Sequence, residues 1–237
     1  MSPDRTPWRE AQPGQGLAYR FLASSFQAPP APEWVAELVE ERLFEAWPFP
    51  SDEEDTAAGL RLLGDFCRRW DPERHDELVW DFNRLFVGPG EMLAPPWESV
   101  HRSKTGLTFQ ESTLEVRALY GRFGVEAPAL HREPDDHLAL ELAFVGHLSD
   151  LATAADQRSD ESELDRCFEA QRAFLQRHLL GWAPTCLGLV QTHAYTAYFR
   201  GVASLALGSL KASAHLCGAS EDARRDGTAP PSRVVDP

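Results

Sequence analysis

The sequence predicts an all-α protein, a single-domain helical bundle of about eight to ten helices. Apolar residues recur at the three-to-four-residue spacing of amphipathic helices along most of the 237 residues, and no alternating run is long enough for a strand. Proline and glycine signals divide the chain into segments of helical length. Hydrophobic residues make up 43% of the chain, with 13 Phe and 7 Trp, and this is enough for a packed core.

The charge balance narrows the classes of partner. With 37 acidic residues against 23 Lys and Arg, the formal net charge is −14, and the sequence pI is about 5.0. Proteins that bind nucleic-acid phosphates need clustered basic side chains, so we expect no nucleic-acid partner. A basic peptide partner fits this charge better.

The N-terminal residues, the apolar runs and the cysteines indicate where the protein is located and whether its thiols are free. Residues 1–10 are polar and contain no apolar signal-peptide core, so we expect a cytoplasmic protein. No run approaches the roughly 18 apolar residues of a membrane span, so we expect no membrane anchor. Four scattered cysteines form no C-x-x-C pair, and we expect buried free thiols.

Prolines delimit the first two predicted helices. The first ends before Pro29 and Pro30, because proline lacks an amide donor and clashes with the preceding turn. Its inward residues are Leu17, Phe21, Leu22, Ser25 and Phe26. The second begins near Pro32, ends at Pro48-Phe49-Pro50, and turns inward Trp34, Val35, Leu38 and Phe44. We expect residues 1–15 to be a flexible N-terminus.

Capping signals mark the next two helices. Ser51 and Glu54 have the spacing of a capping box, which predicts the start of a third helix carrying Leu60, Leu63, Phe66, Cys67 and Trp70. Asp71 and Pro72 are typical of an N-cap and first helical residue. The fourth helix then turns inward Leu78, Val79, Phe82, Leu85 and Phe86, and Gly88-Pro89-Gly90 ends it.

A long loop is predicted between the fourth and fifth helices, from Gly88 to about Thr108. Loops of this length inside a compact domain are usually functional. The fifth helix carries Leu114, Arg117, Tyr120 and Phe123 and ends at Gly124. The connector from Val125 to Glu133 leads to Pro134, the expected first residue of a sixth helix. Asp135 and Asp136 then lie in the first turn of that helix, where carboxylates complement the dipole. Its inward residues are Leu140, Phe144, Leu148 and Leu151.

The remaining chain predicts further helices and a tail. A seventh helix carries Leu164, Cys167, Phe168, Phe174, Leu175 and Leu179. From about Pro184 to Leu216, many small residues permit close helix approach. We expect the helical domain to span residues 16–217 and residues 218–237 to form a disordered C-terminal tail.

The sequence contains few catalytic or metal-binding patterns. Glu98 and His101 are the only Glu-x-x-His pair, and His137 and Glu141 form one i, i+4 pair without a second. No G-x-S-x-G, Walker or G-x-G-x-x-G motif occurs. We therefore expect no metal and no cofactor, with a helical metal-dependent hydrolase or oxidase using His137, Glu141 and His101 as the alternative.

The segment from Glu133 to His137 concentrates three carboxylates and one imidazole at a helix start. Such residues are common at helix N-termini, where carboxylates complement the dipole. The more specific interpretation is that these residues form an acidic pocket that binds a cation or a basic peptide.

Two segments together resemble a known family. The runs Asn83-Arg84-Leu85-Phe86-Val87-Gly88-Pro89-Gly90 and Ala94-Pro95-Pro96-Trp97-Glu98-Ser99-Val100, followed by Glu133-Pro134-Asp135-Asp136-His137 and Glu141-Leu142-Ala143-Phe144, resemble the TorD/DmsD/NarJ family of redox-enzyme maturation chaperones. The resemblance covers about Gly16 to Leu216 and looks closer to the TorD/DmsD side. It implies an all-helical cytoplasmic chaperone and not an enzyme.

The resemblance also implies a partner and a site. Members of the family bind the twin-arginine signal peptide or N-terminal region of a molybdopterin-containing oxidoreductase subunit, support cofactor insertion and prevent premature export. Carried over by position, the signal-peptide-binding residues are Leu85, Phe86, Pro96, Trp97, Pro134, Asp136 and His137, with Phe82 where some members have tryptophan. We expect Asp136 to supply the acid, Phe86, Pro96 and Trp97 to supply apolar surface, and the long loop to bring them together.

The resemblance is compatible with two branches of the family and with two assembly states. A member of the nitrate-reductase branch would bind a catalytic subunit that is not exported, and an exported client is modestly favoured. Some relatives exchange helices between subunits, so a monomer and a helix-swapped dimer are both compatible with the resemblance, with the connector from Val125 to Glu133 as the hinge.

Overall fold

The computed structural model describes residues 5–103, 108, 111–127 and 134–220, and within them the chain is all-α, as predicted. Ten α-helices are present in these ranges, joined by loops and by three short 3₁₀ turns. The helices are α1 (Thr6–Gln27), α2 (Pro32–Glu40), α3 (Glu54–Arg68), α4 (His75–Phe86), α5 (Glu98–Arg102), α6 (Glu111–Arg122), α7 (Leu138–Gln157), α8 (Glu161–Arg177), α9 (Ala183–His193) and α10 (Ala197–Cys217). The 3₁₀ turns are Leu43–Glu45, Pro72–Arg74 and Leu179–Gly181.

Helix α7 lies at the centre of the bundle, packed between α1 and α8. It is apolar enough by length and composition to resemble a membrane span, with a mean hydropathy of 1.3, but 61% of that window is buried inside the protein. Its central position therefore accounts for its apolarity. Helix α1 runs antiparallel to it, with Arg9 paired to Asp156 and Arg20 paired to Asp150.

Helices α3 and α10 form the second tight pair, and the small residues predicted near the end of the chain make it possible. A Cβ added at Gly59 would lie 2.6 Å from the backbone nitrogen of Leu205, and one added at Gly208 would lie 2.5 Å from that of Thr56. The two helices are thus closer than any side chain at these positions allows. Helix α9 packs on α10, and α8 also contacts it.

The N-terminal segment differs from the prediction. Residues 6–15 were expected to be flexible, but α1 already begins at Thr6, and Trp8, Gln12 and Gln15 are buried. Trp8 Nε1 donates to Gln171 Oε1 of α8 at 2.9 Å. The apolar pattern did not predict this part of the helix because the stretch is rich in polar residues. Two of them, both glutamines, are nevertheless buried, and they form hydrogen bonds inside the protein.

Several predicted inward residues face solvent. Leu17 is 53% exposed, Leu114 is 62% exposed, and Trp34 is 37% exposed. Beside Leu17 on α1, Ala18 and Tyr19 are buried, and on α6 Val116 is buried together with Tyr120, which was predicted to face inward. The rest of the predicted stripe on α1, made of Phe21, Leu22, Ser25 and Phe26, is buried as predicted, and Leu17 was included because an apolar residue beside the buried face fits the same spacing.

Two predicted helix starts also differ. Ser51 Oγ bonds to Thr56 Oγ1 at 2.7 Å, so the predicted capping box does not form, and Glu53 occupies the N-cap of α3. Pro134, Asp135 and Asp136 precede α7, whose N-cap is His137. The second predicted helix ends earlier than expected at Glu40, and the last helical region is two helices that meet around Thr196.

The predicted long loop is interrupted by structure. The short helix α5 lies inside the segment 88–108, of which residues 104–107 fall outside the described ranges. Most of the predicted tail, residues 221–237, and most of the connector, residues 128–133, also fall outside them.

Candidate functional site

The segments that carry the family resemblance meet side by side in the structure. Residues 94–99 and residues 134–138 form an isolated antiparallel bridge between Trp97 and His137, and we call this pair of segments the motif junction. Glu98 N donates to Asp136 O at 2.9 Å, and Leu138 N donates to Pro96 O at 2.8 Å. The expectation that the loop brings these motifs together is therefore met in its backbone.

Asp136 connects the two segments of the motif junction from inside the fold. Its side chain has no exposed surface. Oδ2 accepts from the backbone N of Ser99 at 2.6 Å, and Oδ1 accepts from Thr113 Oγ1 at 2.9 Å. The carboxylate thus satisfies a free amide at the start of α5 and ties α6 to the same point. Its described bonds are all internal, so the structure does not present Asp136 to a basic ligand.

Asp135 is buried beside it and has its own partners. Arg117 Nε donates to Asp135 Oδ2, and the hydroxyl of Tyr120 donates to its carbonyl oxygen at 3.2 Å. Oδ1 of Asp135 is buried without a partner among the described residues. Both carboxylates predicted for the first turn of a helix therefore act as acceptors inside the fold.

A second pair of buried acids, Glu98 and Glu141, lies under the junction. Glu98 accepts from His178 Nδ1 at 2.9 Å and pairs with Arg102. Burial opposes ionisation of Glu98, but the contacts with His178 and Arg102 outweigh it and lower its pKa. Glu141 accepts from Trp182 Nε1 at 3.1 Å, and burial together with the charge of Glu98 raises its pKa well above the ordinary value.

His137 and Trp97 are the accessible part of the junction. Both are half-buried, and the two rings meet edge to face with centroids 5.6 Å apart. His137 Nδ1 accepts from the backbone N of Ala139 at 3.1 Å and so caps α7. Burial lowers the pKa of His137 to about 4, so the imidazole is neutral at physiological pH.

The other predicted site residues are interior. Phe82, Leu85 and Phe86 are at most 5% exposed, and Pro96 and Pro134 are buried. Phe86 packs against Phe26 and Phe199 with ring centroids 5.9 and 6.1 Å apart. The carbonyl of Leu85 accepts from Ala94 N at 2.9 Å, which fastens the loop to α4. These five residues support the junction and do not form its surface.

The predicted metal ligands do not converge. His101 Nε2 donates to Pro95 O at 2.7 Å, His137 caps α7, and Glu141 accepts from Trp182. Within the described ranges no group of three or more His, Cys, Asp or Glu side chains has an arrangement that could hold a metal ion. The geometry of these three residues therefore does not favour the metalloenzyme alternative.

Sequence reasoning missed one exposed aromatic pair. Trp80 and Tyr195 are 54% and 57% exposed, their rings meet edge to face at 5.7 Å, and the Arg84 guanidinium stacks on Trp80. Trp80 lies off the inward stripe of α4, which is a signal visible in the sequence. Tyr195 gives no such signal, because the position of the break between α9 and α10 decides its exposure.

Comparison with known proteins finds a matching family and several similar chaperones. The sequence pattern of the nitrate reductase delta subunit family matches residues 50–187. A Vibrio cholerae protein named "Chaperone protein TorD" is 32% identical over 139 residues, 59% of this chain and 61% of that protein. A Vibrio parahaemolyticus protein of the same name is 30% identical over 143 residues, 60% of this chain and 65% of that protein.

A more extended match has a different name. The Salmonella typhi "Tat proofreading chaperone DmsD" is 26% identical over 189 residues, 79% of this chain and 82% of that protein. The chain thus matches about three fifths of the length of the first two relatives and a larger part of the third. The family match at residues 50–187 includes the whole motif junction.

Proposed function

Because the chain belongs to the nitrate reductase delta subunit family, which includes the TorD and NarJ proteins, we propose that it is a molybdoenzyme maturation chaperone and not an enzyme. It binds the twin-arginine signal peptide or N-terminal region of a molybdopterin-containing oxidoreductase subunit. Binding supports cofactor insertion and prevents premature export. The family match carries this proposal, and the names of the Vibrio and Salmonella relatives support it.

In this proposal the eight candidate residues have two roles. Trp97 and His137 contact the client peptide, because they keep exposed surface at the motif junction. Phe82, Leu85, Phe86, Pro96, Pro134 and Asp136 hold those two in place from inside the fold. The acid-to-arginine contact expected of Asp136 is replaced by a structural role for that residue.

The chemistry of the junction suits an apolar stretch of peptide. The Trp97 indole and the neutral His137 ring form an apolar edge, and Val87 at the end of α4 is 61% exposed. Trp97 Nε1 is a buried donor without a partner among the described residues, and an indole N–H in a protein usually has one.

The cell compartment and assembly state belong to the same proposal. A chaperone that acts before export works in the cytoplasm, and the net charge of −14 favours encounter with a basic leader. It acts as a monomer or as a helix-swapped dimer.

Calorimetric titration of a synthetic twin-arginine leader tests the proposal. We expect saturable binding, at least tenfold weaker to Trp97→Ala and less affected in Trp97→Phe. Trp34→Ala removes another partly exposed tryptophan, on α2, and serves as the matched control with affinity unchanged. His137→Asn keeps an N-cap acceptor for α7 and should weaken binding without lowering the melting temperature.

Three outcomes would count against parts of this proposal. No binding of any leader to the folded wild type would remove the chaperone assignment. Equal affinity of wild type and Trp97→Ala would move the site away from the junction. Binding of a client N-terminus that lacks the arginine pair, at the same affinity as the leader, would favour the nitrate-reductase branch with a client that is not exported.

A further inference from the structure

A surface groove lies away from the motif junction. Its volume is about 580 Å³, within the range of pockets that bind ligands. The N-terminal half of α1, the segment from Pro48 to Glu53 and the C-terminal end of α10 form its walls. We call it the α1/α10 groove.

The floor of this groove is apolar. Phe49 lies at its base and is only 4% exposed, while Ala11 and Leu216 line the two helical walls and are half-buried. Prolines at positions 7, 48 and 50 add further apolar surface. An apolar side chain of a ligand therefore has surface to bury here.

The rim of the groove is acidic, and His215 is the one residue with an imidazole among its described lining residues. Glu10, Asp52 and Glu53 line it, and no Lys or Arg is among the described lining residues. None of the three carboxylates has an ion-pair or hydrogen-bond partner within residues 5–103, 108, 111–127 and 134–220. The neighbouring cations Arg9 and Lys211 are paired with Asp156 and Asp55.

The surrounding sequence extends this negative charge. Residues 33–55 contain nine acidic residues and one arginine, and that arginine, Arg42, pairs with Glu45. Such a field attracts cations and raises their local concentration beside the groove. Helix-dipole pairing accounts for Glu54 and Asp55 in the first turn of α3, but not for Glu10, which lies within α1.

From this charge and shape we infer that the α1/α10 groove docks a basic segment of a partner protein, one in which arginine or lysine side chains flank apolar ones. The cationic groups pair with Glu10, Asp52 and Glu53, and an apolar side chain between them packs on Phe49. Charge complementarity selects this occupant, because an acidic or uncharged segment would leave three carboxylates facing a covered surface.

The groove is separate from the proposed leader site. Arg9 of α1, next to the groove residue Glu10, pairs with Asp156 near the C-terminal end of α7, whereas the junction lies at the N-terminal end of α7. Helix α7 has 20 residues, so its two ends are about 30 Å apart. The inference therefore goes beyond the proposed function and does not depend on it.

Fluorescence anisotropy with a labelled peptide of alternating arginine and leucine tests the inference on the full chain. We expect saturable binding that weakens at least tenfold in the triple variant Glu10→Gln, Asp52→Asn, Glu53→Gln. The matched control Glu91→Gln, Glu115→Gln, Glu126→Gln removes the same charge from exposed positions outside residues 33–55, and should change affinity less than twofold. All six positions are exposed or half-buried, so both variants should keep the fold.

Photo-crosslinking gives a second readout that needs no variant. A benzophenone on the leucine-bearing part of the same peptide should attach to α1, to the Pro48–Glu53 segment or to the end of α10. Equal weakening by the two triple variants, or crosslinks only at the motif junction, would overturn the inference.

Two other occupants are separate outcomes of the same experiments. If Arg224→Glu with Arg225→Glu raises peptide affinity tenfold, the chain's own tail is the occupant and the inference fails. If the groove triple variant converts a dimer to a monomer in analytical ultracentrifugation, a second copy is the occupant and it fails likewise.

Discussion

In the proposed leader site, Asp136 supports the binding surface from inside the fold and does not touch the ligand. It is buried, and it joins α5, α6 and the start of α7 through Ser99 N, Thr113 Oγ1 and its own carbonyl. Under the proposed function, we expect a variant at this position to weaken binding only through the position of Trp97. Binding data for Asp136 are informative only beside a measurement of stability.

We expect Asp136→Asn to destabilise the fold. An amide keeps one acceptor but loses the charge that strengthens the bond to Ser99 N, and a hydrogen bond to a charged group contributes about 2 kcal/mol. In a chain of this size that lowers the melting temperature by roughly 4–8 °C. Differential scanning calorimetry checks it, with the exposed Asp52→Asn as control; an unchanged melting temperature would contradict the internal role of Asp136.

Glu141 makes the stability of the fold depend on pH in an unusual direction. Because its folded pKa is raised well above 4.5, the unfolded chain releases a proton that the folded protein keeps. Stability from this group therefore falls as pH rises above about 4.5, by up to about 1.4 kcal/mol per pH unit until the folded pKa is reached. Glu141→Gln removes the dependence, so its melting temperature should exceed that of wild type more at pH 8 than at pH 5.

Glu98→Gln is the control of opposite sign. The folded pKa of Glu98 is lowered, so its contribution is present above pH 4.5 and is lost as pH falls through the folded value. The Gln variant should lose stability at pH 8 and lose less at low pH. Parallel pH profiles for the two variants would show that burial does not control Glu141 as described.

At the residue scale, the sequence predicts which residues lie close together better than it predicts the contacts of each one. The resemblance placed Asp136, Trp97 and His137 at one site, and the backbone of the junction brings them together. The buried state of Asp136 was not predictable, because its hydrogen-bond donors come from Ser99 and Thr113, which are 37 and 23 residues away in the chain.

At the scale of helices, the α3–α10 contact depends on the absence of side chains. We expect Gly59→Ala and Gly208→Ala each to cost about 1–3 kcal/mol, because the added Cβ meets backbone atoms that cannot move aside. Gly121→Ala on α6 meets nothing within 4 Å and should stabilise by about 0.5–1 kcal/mol. Urea denaturation compares the three; a neutral Gly59→Ala would mean that the helices can separate without cost.

Helix existence was predictable, and helix ends and faces were less so. Proline and glycine signals located the breaks after α1 and α4, and Asp71 does cap, but it caps a 3₁₀ turn before α4. The Ser51 capping box failed because Thr56 offered Ser51 a competing hydroxyl. Apolar spacing alone could not separate Leu17 from Ala18 as the buried residue, since both fit one stripe and only the packing of α7 on α1 decides.

For the whole molecule, the four cysteines report on global unfolding. Cys167, Cys186 and Cys217 are buried and Cys67 is half-buried, all as free thiols, as expected. Burial raises the pKa of Cys186 and Cys217 to about 12 and that of Cys67 and Cys167 to about 11. We expect at most Cys67 to react with a thiol reagent in the native protein, and the other three only at the unfolding rate.

A stopped-flow assay with excess reagent at several urea concentrations checks this expectation. The slow amplitude should correspond to three thiols and should follow the loss of helical circular dichroism. Fast reaction of Cys186 would contradict the packing of α9 against the junction, where its Sγ lies 3.5 Å from Pro95 O.

The order of helices along the chain also constrains how the bundle can assemble during synthesis. Helix α1 packs on α7, and α3 packs on α10, so early segments find their partners more than a hundred residues later. Closing such long chain loops precedes the gain in contacts, which slows folding. Until the ribosome has released α10, the apolar face of α3 has no cover, and the nascent protein itself needs protection from aggregation.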